Sequence, residues 1–175
     1  MAPITYRFSQ PPVWSMGTTE TEAGKDSKFT EFDGAQCNQV QAAAFTPAFI
    51  GDQCIASIDG QSTAFAPDFS GSTGFNLVLP ITNNLEFISS GRVTYTTEYQ
   101  WGQNPDPEEI QGSFAKIDLR AGISCNNGQW EVAFVGKNLT DQLTFRFNGE
   151  LPGSSGRFIQ ADRNRELGIQ ARFQY

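Results

Sequence analysis

Five long stretches of this 175-residue chain alternate apolar and polar residues with a two-residue period. The clearest closes the chain, where Leu167, Ile169, Ala171, Phe173 and Tyr175 alternate with Glu166, Gly168, Gln170, Arg172 and Gln174. Successive side chains of a strand point to opposite faces, so each such stretch has one apolar and one polar row. Phe75, Leu77, Leu79 and Ile81 form a second apolar row. Leu85, Phe87, Val93, Tyr95 and Tyr99 form a third, against Glu86, Ser90, Arg92, Thr94, Thr96 and Glu98. Ala115, Ile117, Leu119, Ala121 and Ile123 oppose Lys116, Asp118, Arg120 and Ser124, and Trp130, Val132 and Phe134 oppose Glu131, Ala133, Val135 and Lys137. With a short strand at Ile4–Phe8 and a weaker one from about Val13 to Glu31, the count reaches seven.

Strand length and connection length narrow the architecture. At about 3.3 Å per residue and a tilt near 45°, ten residues cover roughly 23 Å along a membrane normal. That matches the apolar band of an outer-membrane barrel, about 25 Å tall, whereas ordinary strands average nearer 5 or 6 residues. The connections alternate between short ones, Ser9–Pro12, Thr82–Asn84 and Asn126–Gln129, and long ones, Phe32–Asp68, Gln100–Gly112 and Thr140–Ala161. In an up-and-down meander this places every short turn at one end and every long loop at the other, as in transmembrane barrels. Parity puts Tyr175 at the short-turn end.

Composition removes whole classes of function. The chain has no histidine, so no His-based triad, HExxH zinc site or imidazole ligand set can be built from it. A net charge of −7 with no basic cluster argues against nucleic acid. No run of 18 apolar residues exists, and the opening MAPITYRFSQ lacks the charged and apolar regions of a signal peptide. Cys37 and Cys54 flank a polar, Gly-containing segment and pair in an oxidising compartment; two free thiols are the alternative. Cys125 stands alone.

The segment WEVAFVGKNLTDQ (Trp130–Gln142) resembles the penultimate-strand signature of the TonB-dependent outer-membrane receptors, through Trp130, Val132, Gly136, Lys137, Asn138, Leu139, Thr140 and Asp141. KIDLRAGIS before it extends the resemblance. So does the closing RELGIQARFQY, which is similar to the family's C-terminal β-signal in Leu167, Ile169, Ala171, Phe173 and Tyr175, although a terminal Phe is usual. KFTEFDGAQC with its second cysteine resembles a cysteine-closed extracellular loop of one branch of the family. The resemblance runs over residues 28–175, and 1–27 form a weakly assigned strand and turn region. It implies a 22-stranded barrel around an N-terminal plug, located in the outer membrane of a Gram-negative bacterium. It also implies active uptake of a scarce ligand such as an iron-siderophore, cobalamin or an oligosaccharide. The implied partners are outer-membrane lipid, the plug and upstream strands of the same receptor, the TonB complex, and the barrel-assembly machinery that reads the last strand. The expectation is therefore an all-β, antiparallel meander of about seven long strands: an open, curved segment from the C-terminal part of such a barrel, without catalysis or cofactor. Met1 is then an internal methionine or a false start. The rival readings are a secreted carbohydrate-binding β-sandwich and a complete eight-stranded barrel.

Candidate contacts are sparse. Asn104–Ile110, NPDPEEI, reads as a solvated loop stiffened by Pro105 and Pro107 rather than as a calcium or cation site. The NLT sequon at Asn138–Thr140 is accidental in this setting, and Gly153–Arg157 is a flexible loop without the nucleophile-elbow spacing. Arg157, Arg163 and Arg165 serve either an anionic ligand or salt links within the loops. Arg92, Arg120, Lys137 and Arg172 pair across strands with Glu86, Glu98, Asp118, Glu131 and Glu166, or with a plug. Tyr99 with Trp101, and Trp130 with Tyr175, suit the aromatic girdles at the two interfaces.

Overall fold

The computed structural model describes residues 13–19, 27–45, 52–102, 106, 109–125, 128–151 and 156–174. The expected strand Ile4–Phe8, the turn Ser9–Pro12, the terminal Tyr175 and most of NPDPEEI lie outside these residues, as does most of Gly153–Arg157. Strand order follows the chain: β1 (Val13–Thr19), β2 (Ala35–Gln36), a six-residue helix α1 (Gln39–Ala44), β3 (Ile55–Ala56), β4 (Ser70–Pro80), β5 (Leu85–Thr96), β6 (Tyr99–Gln100), β7 (Ile110–Gln111), β8 (Phe114–Cys125), β9 (Trp130–Lys137), β10 (Phe145–Glu150), β11 (Arg157–Ala161) and β12 (Glu166–Phe173).

Six of these make one antiparallel sheet in the order β1-β4-β5-β8-β9-β12, and the sheet does not close into a barrel. The three central strands, of 11, 12 and 12 residues, reach the expected length, whereas β9 and β12 have 8 each. Three details depart from the sequence reading. Ile81 falls beyond β4, Tyr99 belongs to a separate short ladder with Gln111, and the weak strand near Val13–Glu31 is a strand only over Val13–Thr19 among the described residues.

Register joins the alternating rows into two continuous faces. Leu77 pairs with Ser89, Ser89 with Ala121, Ala121 with Phe134 and Phe134 with Ile169. One row over, Leu79, Phe87, Ile123, Val132 and Ala171 run across the same face. The opposite face carries Asn76, Ser90, Arg120 and Val135, with Arg92 opposite Asp118. A one-residue slip anywhere would exchange the two rows, so the apolar pattern fixes the register.

No second layer packs on either face among the described residues. Apolar side chains along the sheet stay exposed: Phe134 at 53%, Leu167 at 60% and Ile169 at 78%. A sandwich would press these rows against a second sheet, and the described residues supply none.

Two short turns, after β4 and after β8, lie at one end. In the first, Thr82 Oγ1 accepts from the Leu85 amide at 3.1 Å, and the Ile81 amide donates to the Leu85 carbonyl at 2.8 Å. In the second, Gly128 has φ of 72°, a left-handed conformation that suits glycine. At the other end lie three long connections, between β1 and β4, β5 and β8, and β9 and β12. Each holds its own two-stranded ladder: β2 with β3, β6 with β7, and β10 with β11. The first also contains α1, opened by a capping box in which Asn38 and Gln41 satisfy each other's backbone amides. Cys37 and Cys54 are joined by a disulfide in the same connection, with Cα atoms 5.5 Å apart, and Cys125 is a free thiol.

Candidate functional site

The residues of the Trp130–Asp141 motif divide between strand and turn. Trp130 and Val132 stand on the apolar row of β9, opposite Phe173 and Ala171. Gly136 ends that row, and the Leu139 side chain folds back over it. A Cβ at Gly136 would sit 2.6 Å from Leu139 Cδ2 and 3.4 Å from Leu167 Cδ2, so the position needs a residue without a side chain. Lys137, on the other face, is opposite Glu166.

Asn138 then turns the chain. Its φ is +49°, and Asp141 repeats the left-handed conformation at +54°. Asn is among the few residues that tolerate this region, because its amide bonds locally. Here Asn138 Nδ2 donates to the carbonyls of Gln142 (3.0 Å) and Arg163 (3.3 Å), while Oδ1 accepts from the Gln142 amide (3.0 Å) and the Thr140 hydroxyl (3.3 Å). The Asn138 amide donates to Asp118 Oδ1 at 2.8 Å, and Thr140 Oγ1 donates to the Ala115 carbonyl at 2.7 Å. Asp141 Oδ1 accepts from the Arg165 amide at 3.0 Å. The motif is thus a knot that ties the end of β9 to β8 and to the segment entering β12. Its polar atoms are turned inward on the backbone, which is the arrangement of a structural brace. Asp118, expected in a cross-strand ion pair, serves this turn instead.

The long connections meet through ring contacts, in which Trp101 is buried and Phe65 exposed, and through a buried charged cluster. Rings of Phe65, Tyr99, Trp101 and Phe145 form a row, with centroid separations of 6.4, 6.2 and 5.3 Å. Trp101 is only 4% exposed, so it does not belong to a lipid-facing girdle as expected from the sequence. Burial also raises the Tyr99 phenol above its ordinary pKa. Beside this row, Arg157 Nη2 lies 2.5 Å from Asp106 Oδ2, and Arg157 Nη1 lies 3.4 Å from Glu109 Oε1. Asp106 is 1% exposed. The expectation of a solvated NPDPEEI loop is therefore overturned at these two carboxylates, which an arginine of another connection neutralises.

The three candidate arginines do not converge. Arg157 is held in the buried cluster, Arg163 is exposed beside Glu166 at 3.1 Å, and Arg165 lies 3.6 Å from Asp141. Lys116 Nζ, at the same end of β8, donates to Thr144 Oγ1 (2.6 Å) and Asp162 Oδ2 (2.8 Å), and Arg146 Nε adds a contact to Asp162 Oδ1 at 3.1 Å. The lysine hydrogen bond is the main reason the Asp162 carboxyl is lowered from 3.8 to about 2. The pairings of Lys116 with Thr144 and Asp162 and of Arg157 with Asp106 do not show in the sequence, because the partners lie 28 to 51 residues apart.

On the polar face a shallow depression of about 420 Å³ crosses β4, β5, β8 and β9, with Asn76, Ser90, Arg92, Asp118, Arg120 and Lys137 in its lining. Arg120, in that lining, forms a cross-strand ion pair with Glu131. No group of three or more His, Cys, Asp and Glu suited to a metal ion occurs among the described residues.

The combination of a single-layered antiparallel sheet, one apolar face and all long loops at one end can be compared with known folds. No protein-family pattern and no curated protein sequence matches the chain. A solved structure does: the ferric yersiniabactin uptake receptor FyuA from Yersinia pestis, at a TM-score of 0.58 and 18% sequence identity over 69% of this chain. The sheet has the fold of part of a β-barrel wall. The chain spans 18% of that receptor's length. The likeness is one of fold.

Proposed function

We propose that this chain is a stretch of the wall and long loops of a TonB-dependent outer-membrane receptor, acting in uptake of a scarce ligand of the iron-siderophore, cobalamin or oligosaccharide class. The observation that carries the reading is the uncovered apolar face. Five of the hydrogen-bonded strands, β4, β5, β8, β9 and β12, present a band rich in Leu, Ile, Val and Phe on one side, and in water such an area is a liability. In a bilayer the same band is the contact surface, and the antiparallel ladder satisfies the backbone internally. The polar face then borders the barrel interior, where a plug domain would sit. The long connections stand outside the cell, where the Cys37–Cys54 bond persists. Among the described residues the sheet ends at β1 and at β12 and does not close on itself, which calls for further strands to complete the wall. The barrel-assembly machinery would dock at β12, and the TonB complex would act through the plug. Residues 28–175 form the receptor-like portion in this reading, and the role is transport without catalysis.

Fluorescence quenching by brominated acyl chains tests the reading. A single tryptophan substituted for Phe134, mid-strand on the apolar row, should be quenched strongly in brominated-lipid vesicles. Trp101 as the single tryptophan should be quenched weakly. Equal, weak quenching of both would sink the proposal.

A further inference from the structure

Burial in this chain is inverted. The strands of the wall bury little: among the described residues Ala133, Gly136, Ser124 and, at a strand end, Thr96 are below a tenth exposed, whereas the connections bury Trp101, Asp106, Glu109, Gln111, Asn138 and Thr144 to that degree. Loops that carry their own core are not independent flaps, and this core is built by contacts between connections as well as by contacts within them, such as Tyr99 on Trp101.

The junction of the first and second connections has both ring and backbone contacts. Phe65 packs on Tyr99, the Phe65 amide donates to the Gln100 carbonyl at 2.8 Å, and the Thr97 amide donates to the Phe69 carbonyl at 2.9 Å. The second and third meet through Trp101 on Phe145, through the Phe145 amide donating to Gln111 Oε1 at 3.2 Å, and through Arg157 with Asp106 and Glu109. Lifting β10 and β11 away from the second connection would strip Asp106 and Glu109 of the guanidinium that neutralises them. Uncovering one partner of a buried pair leaves a charge uncompensated, which is strongly unfavourable.

We propose that the three long connections form one mechanically coupled cap, with the aromatic row as its spine and the Arg157–Asp106/Glu109 cluster as the latch between the second and third. A ligand that displaces one connection then has to move all three together. Independent opening of the β10–β11 hairpin is disfavoured as long as the latch is closed.

Hydrogen–deuterium exchange on the full chain in detergent micelles tests the coupling, because each connection has reporter amides: Phe65 in the first, Trp101 and Glu109 in the second, Leu151 in the third. Arg157→Met, a change in the third connection, should speed exchange in the peptide spanning 97–113 by about tenfold or more. Exchange in β4, β5 and β8 should stay unchanged. Asp106→Asn, a change in the second, should speed exchange across 145–161. Faster exchange confined to the connection that carries the substitution would overturn the proposal, as would no change in either. If Arg157→Met also loosens the wall strands, Asp106→Asn, which keeps the side chain's shape, decides the matter. Loosening of the wall by both variants would mean the cluster supports the sheet rather than joining the connections, and would equally overturn it.

Discussion

At the scale of single residues, Asn138 concentrates the most structure. It is 5% exposed, its side chain makes four hydrogen bonds, and its backbone sits at a φ that a β-carbon resists. Asn138→Ala should cost about 2–4 kcal/mol, since it removes the bonds and leaves the left-handed backbone in a poorly tolerant residue. Asn138→Gly loses the same bonds but tolerates the backbone, so it should cost about 1 kcal/mol less. Denaturant titration of both variants in detergent micelles measures the gap. Equal midpoints for the two would show that the turn geometry is not under strain, and an unchanged midpoint for both would remove Asn138 from the brace altogether. The sequence offered the motif as a family resemblance; the structure supplies its chemistry. Gly136 makes room for Leu139, and Asn138 and Asp141 hold two left-handed turns against β8 and the start of β12.

At the scale of elements, the hairpin of β10 and β11 is anchored to the wall at Asp162, which accepts from Lys116 on β8 and Arg146 on β10. Its folded pKa of about 2 lies below the ordinary 3.8, so the anchor is complete above roughly pH 4 and is lost as pH falls through the folded value. Stability measured by denaturant titration from pH 5 down to pH 2 should therefore decline, and Asp162→Asn should flatten part of that decline. At neutral pH the same substitution should cost no more than about 1 kcal/mol, because Arg146 is largely in solvent. A pH profile unchanged by Asp162→Asn would rule the anchor out. The long wall strands were legible because a two-residue period needs only local sequence, and their register followed from one apolar row per strand. The ladders inside the connections were not. β2 with β3 and β6 with β7 are two residues each, too short to show a period, and they exist because Cys37 bonds Cys54 and Trp101 packs on Phe145. Asn38 and Gln41 do stand at capping-box spacing, but α1 lacks an apolar stripe to announce a helix. Burial of Asp106 and Glu109 had no signal at all, since carboxylates between prolines look solvated until Arg157 arrives from 51 residues away.

For the whole molecule, the decisive property is that two chemically distinct faces share one sheet of single thickness. Neighbouring positions on β9 therefore make opposite demands: Phe134 belongs to the exposed apolar row, and Val135 to the row that also carries Arg120. If the apolar row touches acyl chains, Phe134→Arg places a charge near mid-strand in hydrocarbon and should cost about 2–4 kcal/mol in lipid vesicles, while Val135→Arg on the aqueous side should cost much less. In water the ranking should reverse in its consequences. Phe134→Arg breaks up an exposed apolar patch and should slow aggregation of the chain, whereas Val135→Arg leaves that patch whole. Paired unfolding titrations in vesicles and light-scattering measurements without detergent separate the two environments. A protein for which Phe134→Arg and Val135→Arg cost the same in lipid has no face turned to the bilayer. It would need some other cover for the band that runs from Leu77 and Leu79 on β4 to Ile169 on β12.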